Sequence, residues 1–250
     1  MQRVFLSCIA LALLVSSLVQ AQTLSAVDAT ISNLKTKQTG LLTTRLSDKN
    51  RIRWKAIEQL VFAQANAEPL HPVLCELWRW ADASGHVIQV ELIDSKSVHS
   101  NTAGSFNIER YDPTSRSLTT SLKLYLSNID QAVISPHVAR ANGFVPFESL
   151  RKEERYAEVL GHELAHVKYV LSNTVRTRLV QEFVETTNDL LLLHARTKPA
   201  ALTSPEMKQR LSQRDELLRE LETQAETIEV VVWRELVSSQ KARGILKSRR

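Results

Sequence analysis

Val159-Leu160-Gly161-His162-Glu163-Leu164-Ala165-His166-Val167 sits in a stretch whose apolar spacing predicts a helix over about 148–171. On that helix His162 and His166 stand four residues apart and project from one face, one turn from each other. Two imidazoles so placed can both reach one Zn²⁺, each at about 2.0–2.1 Å. Glu163 is turned about 100° away from His162, so it flanks the cation without ligating it, which is what a general base requires. The surrounding positions are uncharged and mostly apolar, as suits a buried helix. Lys168 is a departure, standing where such sites usually carry an apolar side chain.

Two histidines on a solvated helix face would give the same pattern, so a third donor decides between the readings. Gly at 169 and His at 172 would make a metzincin; the chain has Tyr169 and Ser172, which excludes that class. A helix expected over 174–195 offers Glu182 and Glu185, 16 and 19 residues after His166. Glu185 is preferred because Asp189 follows it at i+4 on the same face and can accept the second N–H of a ligating histidine. The expected set is therefore His162, His166 and Glu185 as metal ligands, Glu163 as catalytic base and Asp189 behind them.

Outward from this core the chain reads as α+β and mostly helical. Leu24, Val27, Ile31, Leu34 and Leu41 predict a helix over about 24–46, and Ser47 or Asp48 caps a second one carrying Trp54, Ile57, Leu60 and Val61. Three β-rich segments lie between about 84 and 127. The last two alternate around the turn residues Asp112-Pro113-Thr114-Ser115 and predict a hairpin. The expectation is a small antiparallel sheet packed on the HExxH helix and a third-ligand helix, with long helices at both ends. A last helix over 205–242 carries Met207, Leu211, Leu218, Leu221, Ala225, Ile228 and Val232 at near-heptad steps, interrupted by Arg214. It is expected to pack back on its own domain, while the spacing is also compatible with a homo-oligomer.

Residues 1–21 read as a secretory signal peptide: Arg3, an apolar run from Val4 to Val15, and small residues at Val19 and Ala21. Export to the periplasm or the extracellular space is thus expected, with no stable membrane insertion once the signal is removed. The remaining divisions are 22–70 as an N-terminal helical region, 71–200 as the catalytic core, and 201–250 as the long helix with a basic tail. Cys8 leaves with the signal and Cys75 stands alone, which points to a buried apolar thiol. With 32 Lys and Arg against 27 Asp and Glu, interleaved along most of the chain, charge supplies no nucleic-acid signature. Trp54, Trp78, Trp80 and Trp233 read as packing anchors.

His162-Glu163-Leu-Ala-His166 followed by Glu185-Thr-Thr-Asn-Asp189 resembles the gluzincin metallopeptidases, in the style of the compact HtpX/BepA-like proteases and more distantly of thermolysin. The resemblance spans roughly residues 85–195. It implies zinc-dependent hydrolysis of peptide bonds, a peptide or protein substrate, and an edge strand, Thr119 to Leu126, that pairs with the extended substrate. Tyr169 and His194 are the candidates for stabilising an oxyanion. A rival reading is a non-catalytic envelope scaffold that keeps a metallopeptidase-like zinc site. A further one makes helix 24–46 a propeptide, although no processing signal accompanies it.

Overall fold

The computed structural model describes residues 39–94, 103–112, 117–131, 150–183 and 205–242. The expected signal segment 1–21, Glu185, Asp189 and His194 lie outside the described residues, as does most of the helix expected over 24–46. The part of that helix which is described is not helical. Gly40 adopts φ +97°, a conformation that disfavours any side chain, and a Cβ there would fall 3.0 Å from the Asp82 backbone. Gly40–Leu42 instead forms strand β1.

The first helix, α1, runs over Asp48–Val61, and Ser47 Oγ accepts the Asn50 N–H as its cap. Short strands β2 (Gln64–Ala65) and β3 (Glu68–Pro69) form a two-residue ladder. A helix absent from the sequence expectation follows, α2 over Pro72–Ala83. Pro72 opens it at the first helical position, where a missing N–H costs nothing. The His71 side chain does not cap the helix, and the amides of Val73 and Leu74 are taken by the Glu235 carboxylate of the 205–242 segment, at 2.8 and 3.4 Å. Trp78 stacks on Trp54 of α1 with ring centroids 4.7 Å apart. Trp54, Trp78 and Trp233 are buried, Trp80 packs against the same core, and Cys75 is a buried free thiol.

The α+β class is as expected, and the hairpin is present as β5 (Gly104–Asp112) and β6 (Ser117–Tyr125). The sheet order is β1-β4-β6-β5, with β4 at Val87–Ile93. Only the hairpin is antiparallel; β1 with β4 and β4 with β6 are parallel, so the sheet is mixed. The reason is that β6 slots between β4 and β5, which turns it to run with β4 and satisfies both its edges. β6 is therefore interior, and among the described residues the hairpin strand at the edge is β5, correcting the expectation for Thr119 to Leu126. Ile88, Val90 and Leu92 share one face with Leu122 and Leu124 and form the buried side of the sheet. The pairings Gly104↔Leu124, Phe106↔Leu122 and Ile108↔Thr120 place those β5 residues on the same face. Tyr125 leads into the short helix α3 (Leu126–Ile129).

Helix α4, Lys152–Leu171, lies at the centre, packed by the sheet face and by α1 and α2. Residues 174–183 are helical (α5), and α6 spans Pro205–Ala242, about 57 Å at 1.5 Å per residue. The largest helix–helix interface among the described residues joins α4 to α6. The two run antiparallel: Glu154 meets Gln240, Gly161 meets Val232 and Tyr169 meets Glu220. A Cβ on Gly161 would lie 3.2 Å from Val232 Cγ1 and 3.3 Å from Leu74 Cδ1, so this glycine sets how closely α6 and α2 approach α4. No helix of the described residues is long and apolar enough to cross a membrane.

Glu154 is fully buried at the start of α4. Burial disfavours its charge, but the Arg151 guanidinium and backbone N–H, together with Gln240, overcome that and hold it below its ordinary value of 4.5. Its contribution is thus complete above that value and lost as pH falls through the lower folded one. Glu154→Ala is expected to lower stability by about 1.5–3 kcal/mol near neutrality, the scale for losing hydrogen bonds to a charged group, since its partner Arg151 is exposed and stays solvated. Denaturant titrations across the acid range should show a shallower acid limb in the variant than in the parent.

Candidate metal centre

Four residues of α4 build one side of the site. His162 and His166 point toward α6 from successive turns, and their Nε2 atoms lie 3.0 Å apart. Glu163 projects toward the sheet instead and is 6% exposed. Glu158, one turn before His162, is 3% exposed beneath it. The helix presents acid and imidazole at these depths because its remaining positions, Val159, Leu160, Leu164 and Val167 among them, are buried in the core and fix its rotation.

Helix α6 supplies the facing carboxylates. Glu222 Oε2 lies 3.5 Å from His162 Nε2, and its Oε1 lies 3.6 Å from His166 Nε2. One ligating atom from each of His162, His166 and Glu222 falls within 4.8 Å of the others, so these three side chains could hold a metal ion. Two turns further along α6, Glu229 Oε2 accepts from His162 Nδ1–H at 2.8 Å. That bond fixes the tautomer in which Nε2 of His162 is the nitrogen aimed at the cation position.

The charges follow from this packing. Burial opposes a proton on His162, but Glu222 and Glu229 outweigh it and raise its pKa to about 11. Burial and the adjacent His162 charge lower that of His166 to about 4. The two rings meet Nε2 to Nε2 at 3.0 Å, a contact that needs a proton on one of the two nitrogens. Burial pushes Glu163 up to about 7, against the pull of His162. Burial and the Glu229 charge hold Glu158 well above the ordinary carboxylate range.

The sheet reaches the site through Gly104. A Cβ built on this first residue of β5 would lie 2.8 Å from Glu163 Cδ and closer still to Oε1. The absence of a side chain at the edge strand is what gives the carboxylate its room.

His162, Glu163 and His166 therefore stand as the sequence places them, on one buried helix. Glu185 and Asp189 are outside the described residues, and Glu222 is the carboxylate that meets both imidazoles within them. Glu182 does not join the group; it pairs with Arg178 at 2.9 Å on α5. Tyr169 directs its hydroxyl to Glu220, with the Arg176 guanidinium 3.4 Å above its ring, so it clasps α4 to α6 and its O–H is already committed. Glu222, Glu229, Glu158 and Gly104 were all missed from sequence. The available signal was weak: Glu222 and Glu229 are spaced i, i+7 beside the apolar stripe of α6, a pattern shared by ordinary solvated helix faces.

Comparison with protein-family models, with curated proteins and with solved structures finds no match for this chain.

If the three-residue group is the donor set, Glu222→Ala should lower divalent-cation affinity beyond the about 10–100-fold typical of losing an outer partner. Glu182→Ala should leave affinity unchanged. Competition against a chromophoric chelator measures both, and loss in Glu185→Ala but not in Glu222→Ala would return the third position to residue 185.

Proposed function

We propose that this chain is an exported zinc-dependent endopeptidase of gluzincin type, with His162, His166 and Glu222 as ligands and Glu163 as general base. The observation that carries the reading is the meeting of two Nε2 atoms and a carboxylate from separate helices, with a buried glutamate next to the first histidine. Two imidazoles and one carboxylate are the donors of the catalytic zinc sites that keep a coordination position open to water. Bound there, zinc would supply a fixed charge that polarises a carbonyl and brings the pKa of water to about 7.

The chain's own residues divide the remaining work. Glu163, walled from bulk water by Gly104 and the sheet, takes the proton of the attacking water and returns it to the leaving amine. Glu229 holds His162 in the ligating tautomer. The β5 edge, whose first residue abuts Glu163 and whose outer side is unpaired among the described residues, offers backbone to an extended peptide, which places the scissile bond beside the base. The substrate class on this reading is a peptide or an extended protein segment.

Purified protein is expected to bind about one zinc and to cleave unfolded protein or a peptide library. Glu163→Gln should abolish turnover while zinc content stays at the parental level. Full activity in that variant removes Glu163 from the mechanism, and stoichiometric zinc with no turnover by the parent favours the scaffold reading. Gly104→Val is expected to lower kcat by about 10²-fold, the scale of a misplaced catalytic group, again with zinc retained.

A further inference from the structure

Of the three donors, Glu222 is the one the interior does least to hold. Its side chain is 59% exposed, against 18% for His162 and 10% for His166. It also stands where α6 leaves the core: Leu221 is buried, and among the described residues of α6 before it none is. Burial anchors α6 only from residue 221 onward, so contacts at the exit decide how the turn carrying Glu222 sits over the imidazoles.

Tyr169 makes the contact at that point. It follows His166 on α4 by three residues; its ring packs against the core and its hydroxyl donates to the exposed Glu220 carboxylate. The ring is itself held, because the Arg176 guanidinium lies 3.4 Å from its centroid and donates to the Tyr169 carbonyl at 2.6 Å. On α6, Glu220 and Glu222 flank Leu221, about 200° apart around the helix axis. A roll of α6 that lifts Glu222 off the imidazoles drives Glu220 into the phenol, and a roll in the other sense breaks the Tyr169 bond.

We propose that Tyr169 is a positioning residue: by holding Glu220 it sets the rotation of α6 at its exit from the core and so places Glu222 across His162 and His166. The inference rests on the metal-site reading and goes beyond it by assigning what keeps the exposed ligand in place. Tyr169 acts through α6 and not on the cation.

The test is zinc affinity of the full chain, measured by chelator competition. Tyr169→Phe keeps the ring beside Arg176 and removes only the hydroxyl; it should weaken binding about tenfold, the lower scale for losing an outer partner. Glu220→Ala, at an exposed position that puts folding at little risk, should give the same loss. Glu220→Gln keeps an acceptor and should bind within about threefold of the parent. The Tyr169→Phe and Glu220→Ala losses should not add in the double variant. In a Glu222→Ala background Tyr169→Phe should cost nothing further, because the carboxylate it places is gone, whereas a general loosening of the α4–α6 seam would cost as much there as in the parent. Parental affinity in Tyr169→Phe, equal losses for Gln and Ala at 220, additive losses, or a Tyr169→Phe loss that persists without Glu222 would each overturn the positioning role. A parent that binds no zinc, or undiminished affinity in Glu222→Ala, removes the metal-site reading and this inference with it. Tight parental binding that Glu222→Ala weakens and Tyr169→Phe does not overturns this inference alone.

Discussion

The close antiparallel approach of α4 and α6 is made possible by a glycine. Gly161 lies one residue before His162 and is packed by Val232 from α6 and Leu74 from α2. A Cβ there would require the Val232 and Leu74 methyls to give by a few tenths of an ångström, and overpacking by larger side chains costs about 1–3 kcal/mol even when the fold survives. The distances at issue are small. Glu222 lies 3.5 and 3.6 Å from the two imidazoles, and Glu229 lies 2.8 Å from His162. A shift of an ångström would dissolve the donor set while leaving the core intact. The polar contacts along the same seam, from Glu154 with Gln240 to Tyr169 with Glu220, fix the register of the two helices as well as their separation.

The sheet has a separate role. Its buried face supports α4, and its edge strand begins with the only residue type that tolerates the Glu163 carboxylate at such short range. The Glu163 carboxylate therefore meets the backbone of β5 on this side, which limits how far it can move toward the sheet. Its desolvation follows from the same contact, since strand and helix together leave it 6% exposed.

The parts of this arrangement that could be read in the sequence are those governed by local period. The His162–His166 pair is legible because helical geometry alone brings i and i+4 together, and the hairpin because β5 and β6 alternate around turn residues. Strand order was not legible: nothing in the pattern of β4, β5 and β6 says which of the last two sits beside the first. The third carboxylate was not legible either. Glu222 follows His166 by 56 residues, and only helix packing brings them together. The helix expected over 24–46 failed at its described end because Leu41 continued an apolar spacing across Gly40, whose backbone the structure uses to enter a strand. Helix α2 is not legible because Pro72 can close one element as readily as it opens another, and here it stands at a first helical position.

A donor set split between α4 and α6 also has a consequence for how the chain matures. While a nascent chain emerges at about 5–20 residues per second, the 56-residue interval between His166 and Glu222 corresponds to about 3–11 s. Throughout that interval the two imidazoles exist without their partner from α6. The three groups can act together on a cation only once residue 222 has emerged, and a product truncated ahead of it would be missing one of them.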